Sequence, residues 1–107
     1  MTCSSYSMMN AIRKLDDVGQ MKVCHSFHRL IRKKSLRGDF IDRFEETYAL
    51  LDEDNWDLTS GNLHYAINDL DNALFCIDYN NCLLFMEVYE ELQPTIEDCT
   101  NGRQMQF

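Results

Sequence analysis

Three groups of side chains have the types and spacing to do chemistry. Cys24 and His28 stand one helical turn apart with His25 beside them, and sulfur and imidazole are the donors zinc prefers. A structural zinc site needs four ligands, usually as two close pairs, and no second pair occurs; Cys76 and Cys82 could join only through the fold. The spacing therefore predicts Cys24 on the apolar stripe of a helix, the histidines at its edge, and no metal or other cofactor. Asp52, Asp54 and Asp57 suggest an oxygen-ligand loop. Counting a calcium loop from Asp52 puts Trp56, Asp57 and Leu63 where a polar ligand, a glycine and a glutamate belong, and counting from Asp78 puts Cys82, Leu83 and Tyr89 there. Neither would wrap an ion. His25, His28 and His64 could each serve as a general base, yet no glycine-rich phosphate loop, nucleophile elbow or zinc-hydrolase motif accompanies them. An enzyme is not expected.

The charge pattern points to recognition instead. Between Arg43 and Arg103 there is no lysine or arginine, and that stretch holds every glutamate of the chain. Residues 1–43 carry nine basic and four acidic side chains, a balance of +5; residues 44–107 carry one and fourteen, a balance of −13. Mixed-sign surfaces solubilise a domain equally well, so a one-signed surface reads as a device that steers basic partners and rejects acidic ones. The basic run from Arg29 to Arg37 could touch phosphate. Its simpler role is a helix end whose charges offset the acidic half, which would itself repel nucleic acid. Direct nucleic-acid binding is therefore not expected.

The elements that must carry these charges are helical. A chain of 107 residues with 45% apolar side chains, one proline and four glycines makes one domain and favours long helices. The N-terminus lacks the pattern of a secretory signal, and no apolar run exceeds five residues, so no membrane contact is expected. Five cysteines without a scaffold spacing read as reduced thiols, which implies a cytoplasmic location. Apolar spacing predicts a first helix over about Ser4–Val18, broken by Gly19, and a second over Gln20–Lys34. A third begins near Asp39 as N-cap and buries Phe40, Phe44, Tyr48 and Leu51. A fourth, capped by Thr59 or Ser60, carries Leu63, Ile67, Leu70, Leu74 and Ile77. A fifth comes after Asn80-Asn81 and ends at Pro94. Strand remains an alternative only over Cys82–Tyr89. The expected fold is all-α: an antiparallel four-helix bundle with an additional N-terminal helix (residues 1–19), one domain over residues 1–94, and a flexible tail over 95–107.

On the fourth helix, Asp71 and Asp78 fall on one flank with Phe75 projecting between them and His64 on the same side. Carboxylates seven residues apart stand about 10 Å from each other along a helix, roughly the spacing of neighbouring phosphates, and an aromatic between them would anchor an interface. Asp52, Asp54 and Asp57 surround Trp56, the only tryptophan. Glu87 and Glu91 form a like-charged i, i+4 pair.

Leu30-Ile31 before a basic turn, then Ser35-Leu36-Arg37-Gly38-Asp39-Phe40, Phe44 and Tyr48, and the segment Ala66-Ile67-Asn68-Asp69-Leu70-Asp71-Asn72-Ala73-Leu74-Phe75-Cys76-Ile77-Asp78-Tyr79 resemble the colicin D immunity family. The likeness covers about Met21–Leu92 in helix length, spacing and charge; the first helix and the cysteine content depart from it. The resemblance implies a four-helix protein that caps the active site of a tRNA-cleaving toxin with acidic side chains in the places of substrate phosphates, and Asp69, Asp71 and Asp78 are the matching positions. The expectation is a monomeric immunity protein that binds a basic nuclease toxin one to one. Two alternatives stand beside it: a phage-encoded acidic mimic of DNA that occupies a host defence nuclease, and a helical adaptor or oligomerisation module whose association is insensitive to salt.

Overall fold

A computed structural model of the chain describes residues 4–104. Five helices succeed one another: α1 (Ser5–Arg13), α2 (Asp17–Lys34), α3 (Asp39–Tyr48), α4 (Trp56–Asn80) and α5 (Cys82–Gln104). Among the described residues there is no strand; Cys82–Tyr89 is helical. No helix among them is long and apolar enough to cross a membrane.

Several boundaries differ from the sequence reading, each for a local reason. The first helix stops at Arg13 rather than Val18, because Asp16 becomes the N-cap of α2 and its carboxylate accepts from the Gly19 amide at 2.8 Å. Gly19 is therefore inside α2 and does not break it. A Cβ at that position would stand 3.0 Å from Leu15 Cβ and 3.3 Å from the capping Asp16 carboxylate, with Cys99 Cβ of α5 at 3.4 Å, so the missing side chain gives room chiefly to the turn between α1 and α2. Asp39 is the first residue of α3, not its cap; Gly38 precedes it at φ 147°, and the Asp39 carboxylate favours the positive end of the helix dipole instead. The fourth helix begins at Trp56, ahead of the expected Thr59 or Ser60. Thr59 is fully buried, and its hydroxyl donates to the Asp52 carbonyl while accepting from the Asp52 amide at 2.6 Å.

The largest correction concerns the end of the chain. Pro94 lies inside α5, exposed, and residues 95–104, expected as a flexible tail, are helical. An interior proline forfeits one backbone bond and costs about 3 kcal/mol. Contacts made by the next turn and a half of helix offset that cost: Ile96 is buried in the core, Cys99 packs against it, and Thr95 meets Ser26 of α2 hydroxyl to hydroxyl at 3.2 Å. Residues 105–107 of the expected tail, like Cys3, lie outside the described residues.

Side-chain pairs fix the directions. Ser5 reaches Asp78 and Arg13 reaches Asp71, so α1 runs antiparallel to α4. Thr47 reaches Asp69 while Phe40 lies near Ala73 and Ile77, so α3 does the same. Ser26 with Thr95 and Lys33 with Glu91 set α2 antiparallel to α5. One continuous core joins them, with Phe27 and Phe44 edge to face at 5.0 Å and Phe85, Ile12, Leu63, Leu70, Leu74 and Leu92 fully buried. The molecule measures 37 × 31 × 21 Å.

Candidate functional site

The carboxylates singled out on the flank of α4, partly exposed, are engaged by partners on α1. Asp71 Oδ2 accepts from Arg13 Nη2 at 2.9 Å, and Asp78 Oδ2 accepts from the Ser5 amide at 3.1 Å, in the first turn of α1. Ser4 Oγ takes the Ser7 amide at 3.1 Å, so a serine and an aspartate together satisfy the start of α1. The helical wheel placed Asp71, Asp78 and His64 on one flank. What it left out is that α1 covers that flank, with His64 lining a cleft beside Arg13 and Gln20. Asp69 turns the other way and accepts from Thr47 Oγ1 at 2.8 Å. Glu91 and Glu87 pair with Lys33 at 2.9 Å and Lys34 at 3.5 Å, and the Lys33 hydrogen bond holds the Glu91 carboxyl below its ordinary value. The basic end of α2 is thus partly neutralised within the molecule. Phe75 is exposed and stacks on Tyr79.

The acidic surface with free valences lies elsewhere, on α3 and the connection to α4. Asp39, Asp42 and Glu46 recur at i, i+3 and i+7 on the face of α3 opposite the buried Ile41 and Phe44, and all three are exposed. Asp39 and Glu46 are seven residues apart, the same spacing of about 10 Å that drew attention to α4. The segment from Asp39 to Asp57 holds eight carboxylates and one cation, Arg43, a balance of −7. Arg43 sits over the Phe40 ring at 5.7 Å. Among the described residues, the carboxylates of Asp42, Glu46, Asp54 and Asp57 make no ion pair or hydrogen bond. Asp52 caps its own loop, its Oδ1 accepting from the Asp54 amide at 3.0 Å.

Apolar side chains stand among these charges. Leu50, Leu58, Tyr65 and Trp56 are all exposed. Leu58 and Tyr65 flank Asn62 along α4, and Asn62 Nδ2 donates to the Leu50 carbonyl at 3.2 Å, which brings the three apolar residues to one place. A polar-rimmed apolar cluster of this kind is how protein partners are anchored.

Two histidines brace the same corner from α2. His25 Nδ1 meets the Tyr48 hydroxyl at 2.7 Å, and its Nε2 meets Glu53 Oε1 at 2.5 Å. His28 stacks on Tyr48 with centroids 4.2 Å apart, and its Nε2 lies 3.9 Å from Glu45. Burial lowers the His28 pKa, against the opposing pull of Glu45, and burial raises that of the Tyr48 phenol. The Tyr48–His25–Glu53 chain ties α2 to the end of α3 and to the connection that follows it. Beneath them Cys24 is buried, its thiol pushed up to about 12 by burial. Among the described residues no three histidine, cysteine, aspartate or glutamate side chains gather to hold a metal ion.

Reading the sequence missed Asp39, Asp42 and Glu46 because they straddle Arg43, where the count of charge changed sign. Their spacing opposite the apolar series of α3 was the signal that could have found them. No protein-family model matches the chain, and neither a curated protein nor a solved structure matches it.

Proposed function

We propose that the chain is an immunity protein that binds and neutralises a cognate tRNA-cleaving toxin, covering the toxin's basic active-site cleft with an acidic, phosphate-mimicking surface in the cytoplasm. The observation that carries this reading is the balance of −7 between Asp39 and Asp57, where Asp42 and Glu46 along α3 and Asp54 and Asp57 after it keep carboxylates without an ion pair or hydrogen bond among the described residues, and Leu50, Trp56 and Leu58 are exposed. Charge of one sign speeds capture of a cationic cleft, and apolar anchors lengthen the complex's life. The resemblance of residues 21–92 to the colicin D immunity family supports the same reading. In it α2–α5 form the antiparallel four-helix bundle and α1 is an addition strapped to α4. In this reading the contact centres on the α3 stripe and the α3–α4 corner, because Asp69, Asp71 and Asp78, the positions the resemblance implies, already accept from Thr47, Arg13 and the Ser5 amide.

The test uses a nuclease encoded beside this gene, purified, with tRNA as substrate. Cleavage should stop at one chain per toxin, and Asp42→Lys with Glu46→Lys should restore it at least tenfold. Undiminished cleavage in the presence of excess chain would reject the proposal.

A further inference from the structure

The end of the molecule opposite the acidic corner carries a surface of a different kind. Phe75, Tyr79 and Leu83 are 61%, 81% and 76% exposed, and the Phe75 and Tyr79 rings stack with centroids 6.3 Å apart. Leu83 comes after Tyr79 across the turn into α5, and Met86 lies one helical turn beyond it, also exposed. The Ser5–Asp78 bond brings the start of α1 to this end, and the next residue, Tyr6, is 76% exposed. Residues 72–86 contain a single charged side chain, Asp78, whose carboxylate is already engaged with α1. Asn72, Asn80 and Asn81 lie exposed along the same segment. The α3–α4 corner lies at the other tip of α4, which is 25 residues long, about 37 Å; at this end Arg37 and Asp39 line a cleft with Asn80 and Asn81, one charge of each sign.

We propose that this end is a homodimer interface, through which a second copy of the chain packs with the same residues about a two-fold axis. Charge selects that occupant. Two chains of net charge −8 repel wherever their acidic faces meet, and this end, where Asp78 is engaged and Arg37 stands beside Asp39, is where copies approach at least cost. A basic partner would meet Asp39 there beside the opposing charge of Arg37. Five exposed apolar side chains, Tyr6, Phe75, Tyr79, Leu83 and Met86, with the asparagine rim make a patch suited to a small, reversible interface next to the roughly 800 Å² per partner of a standard one. The pairing leaves both acidic corners at the outer ends, so each chain still takes one toxin.

Sedimentation equilibrium of the full chain under reducing conditions tests this. The dimer fraction is expected to rise with chain concentration, and added salt should raise it further by screening the repulsion, opposite to the effect of salt on toxin binding. Tyr79→Lys with Leu83→Asp, both at exposed positions, should weaken self-association at least tenfold while helicity by circular dichroism stays unchanged. A chain that remains monomeric at all concentrations would overturn the proposal. So would a dimer that survives the double substitution, or one seen only without reductant, which would be a disulfide through exposed Cys82. None of these results depends on toxin binding.

Discussion

At the level of single residues, what decides a carboxylate's role is whether something inside the molecule already holds it. Arg13 and Asp71 are about two-fifths exposed, and an ion pair so open contributes at most about 1 kcal/mol. Asp78 matters more, because it satisfies an amide at the start of α1 in a partly buried setting. Asp78→Ala should therefore destabilise the protein by about 1–2 kcal/mol in urea denaturation and loosen α1, seen as faster amide exchange over Ser5–Ile12. Asp42→Ala, at an exposed carboxylate without a partner, should leave stability within about 0.5 kcal/mol. Equal losses in both variants would remove the distinction between holding and presenting residues. The sequence did disclose Cys24 as a core residue, since it sits on the stripe of Phe27 and Ile31. Its thiol, pushed up to about 12 by burial, should resist a disulfide reagent that titrates Cys82 rapidly, and react only as fast as the protein opens. Rapid labelling of Cys24 in the native protein would contradict the packing.

At the level of elements, the apolar periodicity of α2, α3 and α4 was legible because each stripe repeats through three or more turns. What the pattern could not supply was the long-range partner. Pro94 reads as a stop in isolation, and only Ile96 and Cys99 against α2 show why the helix continues. Gly19 also reads as a break, although it sits inside α2, close against Leu15 and the Asp16 cap. Gly19→Ala should cost about 1–3 kcal/mol by crowding Leu15 and that cap. An ordinary glycine-to-alanine gain in a helix, about 1 kcal/mol, would show instead that the turn between α1 and α2 yields without cost. The α2 C-cap offers the opposite case. Ser35 adopts φ 53° and ψ 45°, a left-handed conformation in which its Cβ is unfavourable. Ser35→Gly should stabilise the fold by about 0.5–1 kcal/mol, read as a raised urea midpoint at constant m-value.

At the level of the whole molecule, the sequence showed that the acidic charge is lopsided but not which face presents it. Counting along the chain assigned α4 and α5 their full share, whereas folding sends Asp69, Asp71, Asp78, Glu87 and Glu91 to partners on α3, α1 and α2. What remains is local, and a local field can be separated from net charge by experiment. Reversing Asp42 and Glu46 to lysine shifts the charge by two units at each site, halving −8 to about −4. Reversing Glu90 and Glu97 makes the same change on a flank of α5 that Lys33 and Lys34 do not reach. At physiological ionic strength the screening length is about 8 Å, short against a molecule 37 Å long. Charges on the two flanks therefore act independently on an approaching cleft. Measured by stopped flow against a cationic toxin, the first variant should associate at least tenfold more slowly and the second less than twofold. Raising salt should bring the wild-type rate down toward that of the first variant. If both variants slow equally, steering belongs to the net charge, and the corner between α3 and α4 has no special part in it.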